Sequence, residues 1–506
     1  MNSNKQSLYE KLHQYSEGDF YPFHMPGHKR TPLFDQSYSI DITEIHGFDD
    51  LHHPEGILKE KMEAAAKFYH ADESFFLING STGGILSAIS AVTEIGDEIL
   101  IARNCHKSVF HAVFLRNLKP HYVYPPILDE FCINGGISVD DVENELKLHP
   151  NIKAVVIVSP TYEGIVSDIK AIAAVSHKYY VPLIVDEAHG AHFAYGEEFP
   201  RSALDCGADI VIQSLHKTLP AMTQTAILHK KSSLVSSETL QFYLQLYQTS
   251  SPSYVLMASI DTCLDWMRKN KNQVMADYNK KLNTLYEALK SLNWIWHLSK
   301  TCIGNANIVD FDRSKIVFGS HVKGWSGKRI CVMLREMTHL EMEMCTPGYV
   351  IAMTSVMDTE EGIQRLIDAL RQIDKQIEKF IINGTHSSVK VMEVLQCCEC
   401  SSHELQDSPN GYFSNKIMNG IHRHKYKISP YEASLEEKEV VCLEDAVGRI
   451  CAKECYIYPP GIPFFIRGEQ LEEADVQTLL YYREHGFEIR GGFYQEQNKI
   501  YVLKER

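Results

Sequence analysis

Between residues 75 and 230 the chain alternates short apolar, β-branched runs with amphipathic stretches, a pattern that constrains its fold more than any other feature. It predicts strands at Glu98–Ala102, His121–Tyr124, Ala154–Val158, Leu183–Asp186, Asp209–Gln213 and Thr225–Leu228. Helices are expected between them at Gly84–Val92, Lys107–Asn117, Val139–Leu148, Asp168–Tyr179 and Arg201–Cys206. Such an order makes βαβ units, and right-handed crossovers bring the carboxyl ends of parallel strands to one rim. Ligands of open α/β sheets bind at that rim, so residues just after strands are the candidates for chemistry.

The rest of the chain divides around this α/β unit, which is assigned to residues 41–290 behind an N-terminal arm at 1–40. From Ser236 to Asn293 the pattern is mostly helical, interrupted at Ser251-Pro252-Ser253. Residues 291–385 read as a smaller α+β domain closing with a helix at Thr359–Phe380. A Ser- and Cys-rich connector at 386–415 then leads to a C-terminal α+β domain at 416–506, whose landmark is the rigid turn Tyr458-Pro459-Pro460-Gly461-Ile462-Pro463. A length of 506 residues calls for several domains.

Composition narrows the function. The net charge of −15 disfavours nucleic acid as a partner and suits a cationic small substrate. No apolar run approaches the ~20 residues that span a bilayer, and the polar start MNSNKQSLYEK lacks a signal-peptide core, so no membrane partner and a cytoplasmic location are expected. The thirteen cysteines have no framework spacing and read as reduced thiols. Cys397, Cys398, Cys400 and His403 lack two separated CxxC pairs, so no metal is expected. The run His422 to Lys427 reads as a solvated strand.

Four segments carry chemistry. Lys217, in Ser214-Leu215-His216-Lys217 after a strand, is placed like an amine meant for an aldehyde, because a Schiff base needs a lysine in a shielded site. Asp186 ends a buried strand, where a carboxylate needs a cationic partner. The protonated ring nitrogen of pyridoxal phosphate (PLP) meets that need. Asn79-Gly80-Ser81-Thr82-Gly83-Gly84 precedes a helix and offers hydroxyls and N–H groups to a phosphate. His106, in Arg103-Asn104-Cys105-His106-Lys107, follows a strand and reaches the same rim, placed to stack on a cofactor ring.

At this point the sequence resembles the Orn/Lys/Arg decarboxylase family of fold-type I PLP enzymes over nearly its whole length. The matching segments are FHMPGHK at 23–29, DDLHHPEG at 49–56, NGSTGG at 79–84, RNCHKS at 103–108, SPTYEG at 159–164, VDEAHGAH at 185–192, SLHK at 214–217 and YPPGIP at 458–463. The resemblance implies a fold-type I large domain with a mainly parallel sheet. It implies that Lys217 carries PLP covalently, Asp186 pairs with the ring nitrogen, His106 covers the ring, and Ser81, Thr82, Gly83, Ser214 and His216 surround the phosphate. Thr161 and His189 are expected around the ring, and Ser250, within Thr249-Ser250-Ser251, is expected to reach the neighbouring subunit's phosphate in a homodimer with a shared active site. The chain resembles the shorter biosynthetic type, which lacks the extra N-terminal wing domain of the larger members.

The expected reaction is decarboxylation of a basic amino acid, with Lys217 or His216 returning a proton to the α-carbon. Asp49, Asp50, Glu343 and Glu469 are the candidate acids for the substrate's distal cation. Arginine is favoured, then lysine, then ornithine, in service of polyamine synthesis. Aminotransfer or elimination by the same cofactor is the nearest rival, and a PLP-binding or polyamine-sensing scaffold is the non-enzymatic one. Asp186-Glu187-Ala188-His189 also spells a helicase box, but no G-x-x-x-x-G-K-[ST] loop precedes it.

Overall fold

The computed structural model describes residues 17–24, 26–31, 33, 40–385 and 424–505. The expected connector and the cluster of Cys397, Cys398, Cys400 and His403 lie outside the described residues.

Seven strands form the main sheet: β1 Glu73–Leu77, β2 Glu98–Ala102, β3 Lys119–Val123, β4 Ile152–Val158, β5 Leu183–Asp186, β6 Ile210–Gln213 and β7 Ala226–Lys230. Their order is β1-β7-β6-β5-β4-β2-β3. Only β7 runs against the others, pairing antiparallel with both β6 and β1. The sheet is therefore mainly parallel, with near-continuous apolar strands because helices cover both faces. β1 escaped the sequence reading: its Glu-Ser-Phe-Phe-Leu is too short and mixed to stand out from a loop.

Helix α1, Gly80–Val92, begins four residues earlier than expected, with Gly80 at φ +67°. A Cβ on Gly84 would meet Leu77 at 2.6 Å and Ile212 at 3.1 Å, so glycine there lets α1 lie directly on the sheet. Helix α2, Lys107–Leu115, follows β2, and α3, Leu215–Thr218, follows β6. The expected helix at Arg201–Cys206 is instead a run of turns. The Ser202 hydroxyl and the Ala203 N–H are both spent on the buried Glu187 carboxylate.

Helices α4, Ser237–Tyr247, and α5, Tyr254–Leu289, flank the Ser-Pro break, and the Ser253 side chain caps α5 through Leu256 N. With 36 residues, α5 is about 54 Å long. Near its start the Ser259 hydroxyl accepts from Met222 N in the large unit, whereas further along Tyr278 bonds Thr354 and Lys281 bonds the Asp358 carbonyl in the small unit.

The small unit is a four-stranded antiparallel sheet, Trp296–His297, Lys315–Gly319, Tyr349–Met353 and Met344–Cys345, backed by Gly327–Thr338 and by α6, Glu360–Thr385. The N-terminal strand Tyr21–Phe23 pairs in parallel with Leu340–Met342, so the arm's described part is anchored to this unit. One continuous apolar core underlies the large and small units. The C-terminal unit has its own core, centred on Leu443, Cys451, Phe465, Leu479 and Val502 and covered by α7, Glu473–Glu484. His424 is not solvated as expected: its side chain is fully buried between Glu469 and Asp475. Among the described residues no helix is long and apolar enough to cross a membrane.

Candidate active site

The carboxyl ends of β2, β4, β5 and β6 open onto a cavity of about 220 Å³. Asp186, Lys217, His189, His106, Thr161, Ser81, Thr82, Ser214 and His216 all line it. Its floor is the end of β5 with the four-residue helix α3, which turns Lys217 back over the sheet. Lys217 Nζ lies 2.9 Å from His189 Nε2. Burial lowers the lysine's pKa, opposed by the nearby Asp186 charge, so its amine is drawn toward the neutral, nucleophilic form. Burial also holds the His189 imidazole well below its usual range, with Lys217 adding to the effect. A neutral His189 accepts from Lys217, and its buried Nδ1 has no hydrogen-bond partner among the described residues.

Asp186 is 3 % exposed and accepts from Ala188 N at 3.1 Å. Burial raises its pKa while Lys217 pulls it down, the condition of a carboxylate that gains from a second cation. Behind this floor the small unit supplies a buried ion pair: Lys315 Nζ meets Asp312 at 2.9 Å and the His189 carbonyl at 3.3 Å. Asp312 in turn meets His192 at 3.1 Å, and these contacts fix the backbone that carries His189.

At the other end of the cavity, Ser81 and Thr82 occupy the first turn of α1, whose free N–H groups and dipole favour an anion. Ser81 Oγ lies 2.5 Å from Ser214 Oγ, so two hydroxyls from different elements converge at that turn. His216 bonds the Thr225 carbonyl at 2.8 Å through Nδ1, and burial lowers its pKa to about 4. Gly83, expected at the phosphate, faces elsewhere: a Cβ there would meet Asn79 and the Tyr247 carbonyl of α4. Because α1 starts early, its rotation turns residue 83 away from the rim.

His106 is the N-cap of α2, with Nδ1 at 2.9 Å from Ser108 Oγ, and burial lowers its pKa to about 3. Tyr458, Pro460 and Ile462 of the C-terminal unit roof the same cavity. Gly461, at φ +82°, lies so close that a Cβ would stand 3.2 Å from His106 Nε2.

The proposed substrate acids separate. Glu343 receives a hydrogen bond from Tyr162, a pocket-lining residue whose ring is 4.5 Å from that of His189. Glu469 is fully buried inside the C-terminal unit against Arg103, which spends it structurally. Asp49 accepts N–H groups from Glu55, Gly56 and Leu58, capping the loop before Ile57–Tyr69, and Asp50 closes a turn onto His52 N. Neither reaches this chain's cavity, and Ser250 sits in an exposed turn outside it. Among the unanticipated lining residues are Tyr162, Glu163, Asn104 and Asn134, together with the three roof residues. Glu163 is 5 % exposed and accepts from Tyr349 Oη at 2.7 Å. Its position directly after β4 was the available signal.

The arrangement can hold an aldehyde on Lys217, an aromatic cation over Asp186 and a phosphate at α1. Residues 6–327 match the profile of the Orn/Lys/Arg decarboxylase major domain, and residues 421–502 match that of the Orn/Lys/Arg decarboxylase C-terminal domain. The chain is 30% identical to an arginine decarboxylase of Bacillus subtilis, over 100% of this chain and 99% of that one. It is 29% identical to an arginine decarboxylase of Bacillus anthracis over 98% and 97% of the two chains. A lysine decarboxylase of Pseudomonas aeruginosa shares the fold with a TM-score of 0.73 at 19% identity, covering 92% of this chain and 74% of that one.

Proposed function

This chain belongs to the Orn/Lys/Arg decarboxylase family, and on that premise we propose that it binds PLP in the rim cavity and decarboxylates arginine, ahead of lysine or ornithine. The observation that carries the reading is the convergence of Lys217, Asp186 and the Ser81–Ser214 hydroxyl pair around one cavity. Those groups fit the three ends of PLP: aldehyde, ring nitrogen and phosphate. The cofactor supplies the electron sink for the pair left behind when CO₂ departs.

The chain's own residues do the rest. Asp186 holds the ring-nitrogen proton, and its burial strengthens that pairing. His106 would cover one face of the ring, with Thr161 and His189 on the cavity wall around it. Lys217, in its ammonium form when not bonded to the cofactor, would be placed as the acid that returns a proton to the α-carbon. His189, held neutral, steers that amine through the 2.9 Å contact. Glu163, with Glu343 behind Tyr162, offers carboxylates to the distal cation, and a planar guanidinium gains more from such a site than an ammonium does. Ser250 and its neighbours, exposed on this chain, serve the second subunit of a cytoplasmic homodimer, and the amine product feeds polyamine synthesis. The near-full-length similarity to arginine decarboxylases supports the order of substrates.

Product analysis tests this reading. Incubation of the PLP-loaded protein with arginine is expected to release CO₂ and agmatine faster than lysine gives cadaverine or ornithine gives putrescine. An amino-transfer product without CO₂ from all three would overturn it.

A further inference from the structure

Arg103 belongs to the RNCHKS segment, stands three residues before His106, and has no part in the chemistry above. It is the largest fully buried side chain of the molecule's described residues, at 0% exposure. Burying a guanidinium demands hydrogen-bond partners, and both Nη atoms of Arg103 find them, while its buried Nε has none among the described residues. Its Nη1 donates to the Pro463 carbonyl at 2.9 Å and its Nη2 to the Phe464 carbonyl at 2.9 Å. Nη2 also meets Glu469 Oε2 at 3.2 Å. All three acceptors belong to the C-terminal unit, and two of them immediately follow the roof turn.

The clamp is braced from behind. Glu469 Oε2 accepts from Ile466 N at 2.8 Å, closing the loop that carries Pro463 and Phe464. His424 lies 3.6 Å from the same oxygen and 2.7 Å from Asp475, which caps α7 through Glu472 N. A second line runs beside it: Lys107 N donates to the Gly461 carbonyl at 3.0 Å, and its ammonium lies 4.7 Å from the Tyr456 ring and 5.3 Å from that of Tyr458. Segment 103–107 thus holds both sides of the roof turn while it presents His106 to the cavity below. The C-terminal unit has its own apolar core and adds only Ile466 to the larger one, so these polar contacts act beside that anchor in placing it over the pocket.

We propose that Arg103 is a positioning residue, a fork that fixes the Tyr458–Pro463 roof over the pocket and, through Gly461, the seating of the His106 ring. The inference rests on the decarboxylase reading for its kinetic arm only. Lysine has one charged head where arginine has a planar fork, so Arg103→Lys keeps the buried charge and loses the simultaneous grip on two carbonyls and a carboxylate. Glu469→Gln keeps the carbonyl contacts and removes the charge pair.

Hydrogen exchange on the PLP-loaded full chain reads the roof independently of turnover. In Arg103→Lys, amides of residues 456–466 and of Lys107 are expected to exchange about tenfold faster, while β4 and β5 keep wild-type rates. Glu469→Gln should produce the same local pattern at smaller amplitude. In parallel, KM for the preferred substrate should rise about tenfold with kcat falling less, since a merely destabilised enzyme loses active fraction without moving KM. Unchanged exchange at the roof in Arg103→Lys, or faster exchange spread evenly over the chain, would overturn the proposal. The local exchange difference between Arg103→Lys and wild type, found with a wild-type protein that decarboxylates nothing, refutes the functional reading and leaves the clamp standing.

Discussion

Asp186, His189 and Lys217 stand on strand ends of a sheet whose apolar core continues unbroken into the small unit. Tyr458, Pro460 and Ile462 reach the same cavity from a unit with its own core, joined to the rest by a buried arginine, backbone bonds and smaller packing contacts such as Ile466 and Tyr431 against Phe114. Reactive groups must keep sub-ångström geometry, and the sheet gives them a rigid base. Covering groups select and enclose, and a separately cored unit can be adjusted without disturbing that base. Chemistry on the floor and fit on the roof are therefore separable by mutation.

The strongest break in this comparison is Lys217→Ala. It should lower turnover by roughly a thousandfold or more and abolish the cofactor's lysine-bound absorbance, with thermal stability preserved. Substantial residual decarboxylation would move the chemistry off the floor. Next, Leu479→Ala in the C-terminal core should cost about 3 kcal/mol of that unit's stability, because the residue is fully buried. Urea unfolding followed at Trp296 in the shared core and at a probe on α7 should then separate into two transitions; one transition shifting as a whole would contradict independent cores.

Acid titration sharpens the floor. Burial raises Glu187 to about 7 despite its bonds from Ala203, Gln213 and Ser202. A carboxyl raised above its unfolded value binds more protons when folded, so its stabilising contribution is complete below pH ~4.5 and is lost as pH rises through about 7. Stability should fall by about 3 kcal/mol across that window, and Glu187→Gln should flatten the slope in urea midpoints measured from pH 5 to 9. The smallest effect belongs to the roof: Tyr458→Ala should raise KM about tenfold and change kcat by less. A fall in kcat alone would erase the distinction.

The floor was legible because strand ends announce themselves locally. An apolar run stopping at Asp186, and a lysine just after the run ending at Gln213, are patterns a few residues long. The mainly parallel sheet followed from the same runs. What stayed hidden depends on distance along the chain. Glu469 looked like a substrate acid until the fold set it against Arg103, 366 positions away. Asp49 looked like a pocket acid because its motif was distinctive, yet its oxygens are consumed by N–H groups of its own loop. His424 sat in a basic run that reads as surface, and only its two carboxylate neighbours from elsewhere in the C-terminal unit make burial tolerable.

Helix α5 gives the molecule a girder. It is bolted to the large unit near Ser259 and to the small unit near Tyr278 and Lys281, and it ties two walls of the cleft into one stiff chassis.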